Sequence, residues 1–134
     1  MTSDWDTALD QLRAAVQNLL RGDGRAYGLL WSHADDVSMM GAHGGLATGW
    51  GQVSAAIDRA AANYDGWHPA YQEQLVAAAS ADSMGYVILR ESVGNTAVPD
   101  QVRHRRVTVL FRKETDGWRV FHHHSDPLHD LARR

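Results

Sequence analysis

The sequence predicts an α+β domain in which three helices come first and an antiparallel β-meander follows. Two observations carry that reading. Apolar residues recur at a helical period through the first half of the chain, and after Gly66 the pattern changes to the period of two that marks strands. A length of 134 residues with 44% hydrophobic content suits a single core, so one domain over 1–134 is expected.

Leu9, Leu12, Val16, Leu19 and Leu20 form the apolar face of the first helix, with Ser3 and Asp6 as a weak capping box and Gly22 as the stop. Asp23 can cap a shorter second helix to about Trp31. The stretch "DDVSMMGAHGG" reads as a short strand that breaks up in glycines. Thr48 caps a third helix in "TGWGQVSAAIDRAAANYDG", with Val53, Ile57, Ala60, Ala61 and Tyr64 on one face. Strands are expected at about 71–80, 84–94, 102–113 and 118–126, separated by turn signals at "SADS", "GNTAVPD" and "ETDG".

There is no cysteine, so disulfides, thiolate metal sites and thiol nucleophiles are excluded. A net charge of -3 argues against a nucleic-acid partner, and "VRHRRV" (102–107) reads as one strand with charge on both faces. The N-terminal "MTSDWDTALDQL" lacks the basic segment and apolar run of a secretion signal, and no run approaches the roughly 18 apolar residues that span a bilayer. A soluble, cytoplasmic protein with no membrane partner is therefore expected.

The densest chemistry lies in "RVFHHHSDP" (119–127). The histidine trio sits inside a strand pattern, unlike a purification tag. Alternation along the strand puts Trp118, Val120, His122, His124 and Asp126 on one face, and Phe121, His123 and Ser125 on the other. A three-residue turn at Thr115-Asp116-Gly117 sets Leu110 opposite His122, Thr108 opposite His124 and Arg106 opposite Asp126; a two-residue Asp-Gly turn would instead bring Val109 and Val107 to the histidines. The first register pairs polar with polar and is preferred.

His122 and His124, about 7 Å apart at Cα, could share an ion if His104, His43 or Glu91 supplied a third ligand. No second motif of metal-ligand spacing supports this, and no metal or other cofactor is expected. Acid–base chemistry asks for less, because a histidine with a pKa of about 6.5 exchanges protons at neutral pH once a carboxylate, here Asp126 or Glu91, fixes its tautomer. Arg106 could hold a substrate carboxylate or enolate, or it could pair with Asp126 across the sheet. Trp31, Trp50, Trp67 and Trp118 read first as core or rim aromatics. Met39 and Met40 alternate faces, so one packs while the other can line a cavity. His43 lies among glycines that permit a close approach to a ligand or an ordinary turn. Tyr86 and Glu91 are five apart on a strand, so only one of them sees a given pocket. There is no G-x-S-x-G elbow, phosphate loop or dinucleotide fingerprint, and Ser125 faces away from His124.

The stretches "LLWSHADDVSMMGAHGGLATGW", "LRES" and "RRVTVLFRKETDGWRVFHHHSDP" resemble SnoaL-like proteins of the DUF4440 type in the nuclear transport factor 2-like (NTF2-like) superfamily. The resemblance covers nearly the whole chain and is most specific in the closing strand pair. It implies a cone, with three helices packed on a strongly curved mixed β-sheet that encloses a deep pocket. Members include polyketide cyclases, ketosteroid isomerases, dehydratases and epoxide hydrolases, and also non-catalytic association or ligand-binding domains, so fold leaves function open. The family's closing-strand His and Asp fall on His124 and Asp126, its Arg and Thr on Arg106 and Thr108, and its middle-strand acid on Glu91. Position 122 is commonly His. The family's Trp-Ser and Asp-Asp fall on Trp31, Ser32, Asp35 and Asp36. The Asp and Tyr set of the isomerases and the Asp-Arg-Asp relay of the epoxide hydrolases have no match here.

The function expected first is a cofactor-independent isomerase, cyclase or lyase acting on a hydrophobic, carbonyl-containing metabolite. His124 is the acid or base, His122 a second polar group, Glu91 or Asp126 the orienting carboxylate and Arg106 the anion holder, with Trp31, Met40, His43, Tyr86 and Thr108 as substrate-binding candidates. One alternative is a non-catalytic homodimeric ligand-binding or association module whose partner surface is formed by Val107, Val109 and Phe111. A second is a His-ligated metal enzyme.

Overall fold

Ser3 starts the first helix as expected, its Oγ accepting a hydrogen bond from the Asp6 N–H at 3.1 Å and so satisfying one of the free donors of the first turn. The computed structural model describes residues 3–42 and 44–128. Helix α1 (Asp4–Leu19) buries Ala8, Leu12, Ala15, Val16 and Leu19, and α2 (Arg25–Leu30) buries Tyr27. Two short strands, β1 (Ser38–Met40) and β2 (Leu46–Thr48), precede α3 (Trp50–Ala62). The cap of α3 is Gly49 at φ 80°, not Thr48, because Thr48 is held in β2 opposite Ser38. Four long strands complete the chain: β3 (Pro69–Ser80), β4 (Met84–Asn95), β5 (Val98–Glu114) and β6 (Gly117–Pro127). No helix among the described residues is long and apolar enough to cross a membrane.

The sheet runs in the order β2-β1-β6-β5-β4-β3. β1 lies parallel to β6 and the other pairs are antiparallel, giving a curved, mixed sheet that is not closed. Val87, Leu89 and Val93 of β4 and Val107, Val109 and Phe111 of β5 face the helices and are buried. Each such side chain contributes about 1.5–3 kcal/mol when fully removed from water. This corrects the expected partner surface: Val107, Val109 and Phe111 are core, not an outer face.

"VRHRRV" carries charge on both faces of β5, as its alternation suggests. The expected turn at "GNTAVPD" is tighter than its composition implies. Asn95 pairs with Val98 but Gly94 pairs with Val102, so Pro99, Asp100 and Gln101 bulge out of the ladder. A proline, which has no N–H to give a partner strand, is tolerated at such a bulge.

The β5–β6 hairpin decides where the histidines point. Glu114 pairs with Gly117, so the loop is the two residues Thr115 and Asp116 rather than three. Phe111 pairs with Val120 but Leu110 pairs with His122, which leaves Phe121 as a bulge. The extra residue restores the expected pairs, Leu110 with His122, Thr108 with His124 and Arg106 with Asp126. It also reverses the face of everything after it. Val120 faces the core, and beyond the bulge the inward side chains are His123 and Ser125, not His122, His124 and Asp126.

Candidate functional site

Between the inner face of the sheet, the end of α1, α3 and the β1–β2 connection lies a cavity of about 310 Å³. Val16, Leu19, Ala47 and Ala56 supply apolar wall, while Gly44 and Gly45, at φ 92° and 122°, bring bare backbone to its edge. Alternate positions on three strands supply the polar groups Glu91, Arg103, Arg105, His123 and Ser125, and Tyr27 of α2, Arg59 of α3, and Asn63 and Tyr64 just after it add four more.

Two connected sets of side chains stand out. In the first, the hydroxyl of Tyr27 lies 2.5 Å from Nδ1 of His123. Burial pushes the His123 pKa down to about 3, with the Arg105 guanidinium and the neighbouring His122 and His124 acting in the same direction, so the imidazole is neutral at ordinary pH. Burial, and then the Glu91 carboxylate, raise the Tyr27 pKa, so its hydroxyl keeps its proton. With that hydroxyl donating to Nδ1, the ring proton sits on Nε2, the nitrogen left to meet a ligand.

In the second set, Arg105 Nε donates to Glu91 Oε1 at 3.0 Å and its terminal nitrogen donates to the Tyr64 hydroxyl at 2.8 Å. Burial works against the charge of Arg105, but Glu91 and Tyr64 outweigh it and raise its pKa. Glu91 is 5% exposed, so the pair it makes with Arg105 is a buried one. Its other oxygen lies 2.7 Å from the Tyr71 hydroxyl, which is also 2.8 Å from Glu73. One hydroxyl proton thus serves two carboxylates, and burial followed by the charge of Glu91 raises the Tyr71 pKa.

Of the catalytic and substrate-binding candidates named from the sequence, Glu91 is the one that, among the described residues, the structure brings to the cavity. His122, His124, Asp126, Arg106 and Thr108 share the outer face because of the Phe121 bulge. There His122 Nδ1 lies 2.7 Å from Ser38 Oγ, and Arg106 makes a bidentate pair with Asp126 at 2.8 and 2.7 Å. Burial, then His124, lower the His122 pKa. Met40, opposite His124, is also outward, while Met39 lines the cavity. Tyr86 is 39% exposed on the outer side of β4, the side opposite Glu91. Trp31 is in the core, edge-on to Tyr27 at 6.1 Å. His43 lies outside the described residues. His104, a possible third metal ligand, is 2.6 Å from Ser92 Oγ on the exposed side. Among the described residues no group of three or more His, Asp or Glu is placed to hold a metal ion.

His123, Tyr27, Tyr64, Tyr71, Arg103 and Arg105 were not foreseen. The signal for Arg105 and His123 was present in β5. Val107, Val109 and Phe111 are its apolar set, so Arg105 shares their face, and the pairing of Val109 with His123 carries that face to β6.

The class of protein these features define is an NTF2-like α+β domain with an internal cavity. Residues 7–128 match the model of the SnoaL-like domain, and the chain belongs to that family. No curated protein matches it. Among solved structures, it is similar to a candidate calcium/calmodulin-dependent protein kinase type II association domain from Thiobacillus denitrificans (21% identity, 92% of this chain and 94% of that one, TM-score 0.76). It is similar also to a candidate dehydratase of the NTF2-like family from Streptomyces avermitilis (23% identity, 93% and 99% covered, TM-score 0.70). A third is a candidate ketosteroid isomerase from Shewanella frigidimarina (13% identity, 92% and 95% covered, TM-score 0.71). At these identities the likeness is one of fold.

Proposed function

We propose that the cavity binds a small, hydrophobic, carbonyl-containing metabolite and moves a proton on it, as an isomerase, cyclase or lyase. The observation that supports this best is the presence of a buried carboxylate, Glu91, and a neutral imidazole, His123, on one apolar cavity. Glu91 accepts a proton from the carbon next to the carbonyl, and the C–H electron pair passes into an enolate. The Nε2–H of His123 donates to the enolate oxygen, a task that suits an imidazole too weakly basic to be protonated. Return of the proton to a different carbon completes an isomerisation, and loss of a neighbouring leaving group completes an elimination. The names of two structural neighbours, a candidate dehydratase and a candidate ketosteroid isomerase, are compatible with such chemistry.

The test is α-proton exchange in D2O, followed by NMR, across a panel of aryl and alicyclic ketones. Exchange catalysed by the wild-type protein and lost in Glu91→Gln supports the proposal. Exchange that persists in Glu91→Gln removes Glu91 as the base.

A second reading is a ligand-binding module without chemistry. It is favoured by the engagement of both Glu91 oxygens, one with Arg105 and one with Tyr71, which reduces their availability as a base. Ketone binding without exchange would select it.

A further inference from the structure

Three guanidinium groups line the cavity, Arg59 from α3 and Arg103 and Arg105 from β5, against one carboxylate, Glu91. Arg105 and Glu91 pair at 3.0 Å and offset each other's charge. Arg59 and Arg103 make no ion pair among the described residues. The surplus is local, since the chain as a whole carries a net charge of -3. Arg103 is also held in place: its Cζ lies 4.7 Å from the Trp67 ring centroid and 5.1 Å from that of Tyr64. Stacking on aromatic faces fixes the plane of a guanidinium while leaving its N–H donors free to point elsewhere. A buried or half-buried cation with unoccupied donors on an apolar cavity is a recognition element for a planar oxyanion.

We infer that this cavity selects small, largely apolar molecules that carry a carboxylate, with Arg103 and Arg59 reading the carboxylate and α1 and α3 covering the apolar body. The inference rests on the cavity being a ligand site and adds the charge of the ligand. The cavity's volume, about 310 Å³, is at the lower end for ligand sites and limits the body to a short chain or one or two rings. Arg103 is the main determinant, because its plane is preset. Arg59, near the exposed end of α3 and one helical turn before Asn63, contributes charge at the mouth.

The experiment is calorimetric binding and thermal shift at low ionic strength with size-matched acids and amides: 4-phenylbutyrate against 4-phenylbutyramide, and octanoate against octanamide, with phenyl phosphate as a third arm. The expected result is that the acids bind at least about ten-fold more tightly than their amides, equivalent to about 1.4 kcal/mol. In Arg59→Gln/Arg103→Gln the difference should shrink to about two-fold; if that protein does not fold, Arg59→Gln alone should still narrow it. Equal binding of acid and amide overturns the inference and leaves the ligand site standing. Tighter binding of phenyl phosphate than of either acid overturns the carboxylate assignment in favour of a phosphoryl ligand. Binding of no compound overturns both the inference and the ligand-site reading beneath it.

Discussion

The Tyr27 hydroxyl and His123 Nδ1 are 2.5 Å apart although the two residues are separated by 96 positions, and this contact ties α2 to the closing strand at the wall of the cavity. Removing the hydroxyl leaves an enclosed imidazole nitrogen without its partner. Tyr27→Phe should therefore cost about 1–3 kcal/mol in urea unfolding, and Tyr27→Phe/His123→Leu less than the sum of the two single changes. Additive losses would show that the contact does not couple the residues.

Acid should act on stability through His123. Its folded pKa, about 3, lies below the ordinary 6.5, so as the pH falls between these values the unfolded chain takes up a proton that the folded chain refuses. Stability from this group is complete above pH 6.5 and is lost progressively towards pH 3. The unfolding free energy of wild type minus that of His123→Gln should fall over this range. His122, whose pKa is lowered too, has the same sign but is present in both proteins and cancels. A difference that does not vary with pH would contradict the burial of His123.

The Glu91–Arg105 pair should behave as a buried one. Glu91→Leu leaves the guanidinium uncompensated and should cost about 3–5 kcal/mol, while Glu91→Leu/Arg105→Met should recover much of that loss. The unfolding midpoints of the two variants and wild type check this.

The outer face should contrast with it. Arg106 and Asp126 make a bidentate but largely exposed pair, with side-chain exposures of 64% and 34%. Arg106→Ala should leave the urea unfolding midpoint nearly unchanged. Neither it nor His124→Ala should change ligand binding in the cavity. Loss of binding in either variant would move the site back to the outer face.

The order of helices and strands was legible because each rests on local periodicity, and α1 was legible down to its Ser3 cap. The pairing of Arg106 with Asp126 and of Thr108 with His124 was legible as well, through the preference for matching polar residues. The site was not, because one unpaired residue, Phe121, separates the face of Val120 from that of His122. Nothing local in "RVFHHHSDP" announces a bulge; it is imposed by the tight Thr115-Asp116 turn together with the core demand for Val109 and Phe111. Carrying the apolar set of β5 across the sheet would have identified His123 and Ser125. Tyr27, Tyr64 and Arg59 reach the cavity only through tertiary packing of α2 and α3, which spacing along the chain does not encode.

The most direct test of the cavity's placement is an NMR titration of the histidine side chains from pH 8 to pH 4, with the His123 signals identified by their absence in His123→Gln. The expected result is a His123 ring that stays neutral, with its proton on Nε2, throughout that range. A His123 ring that titrates near pH 6.5, the ordinary value, would place it in solvent and contradict both the bulge-reversed face and the site built on it.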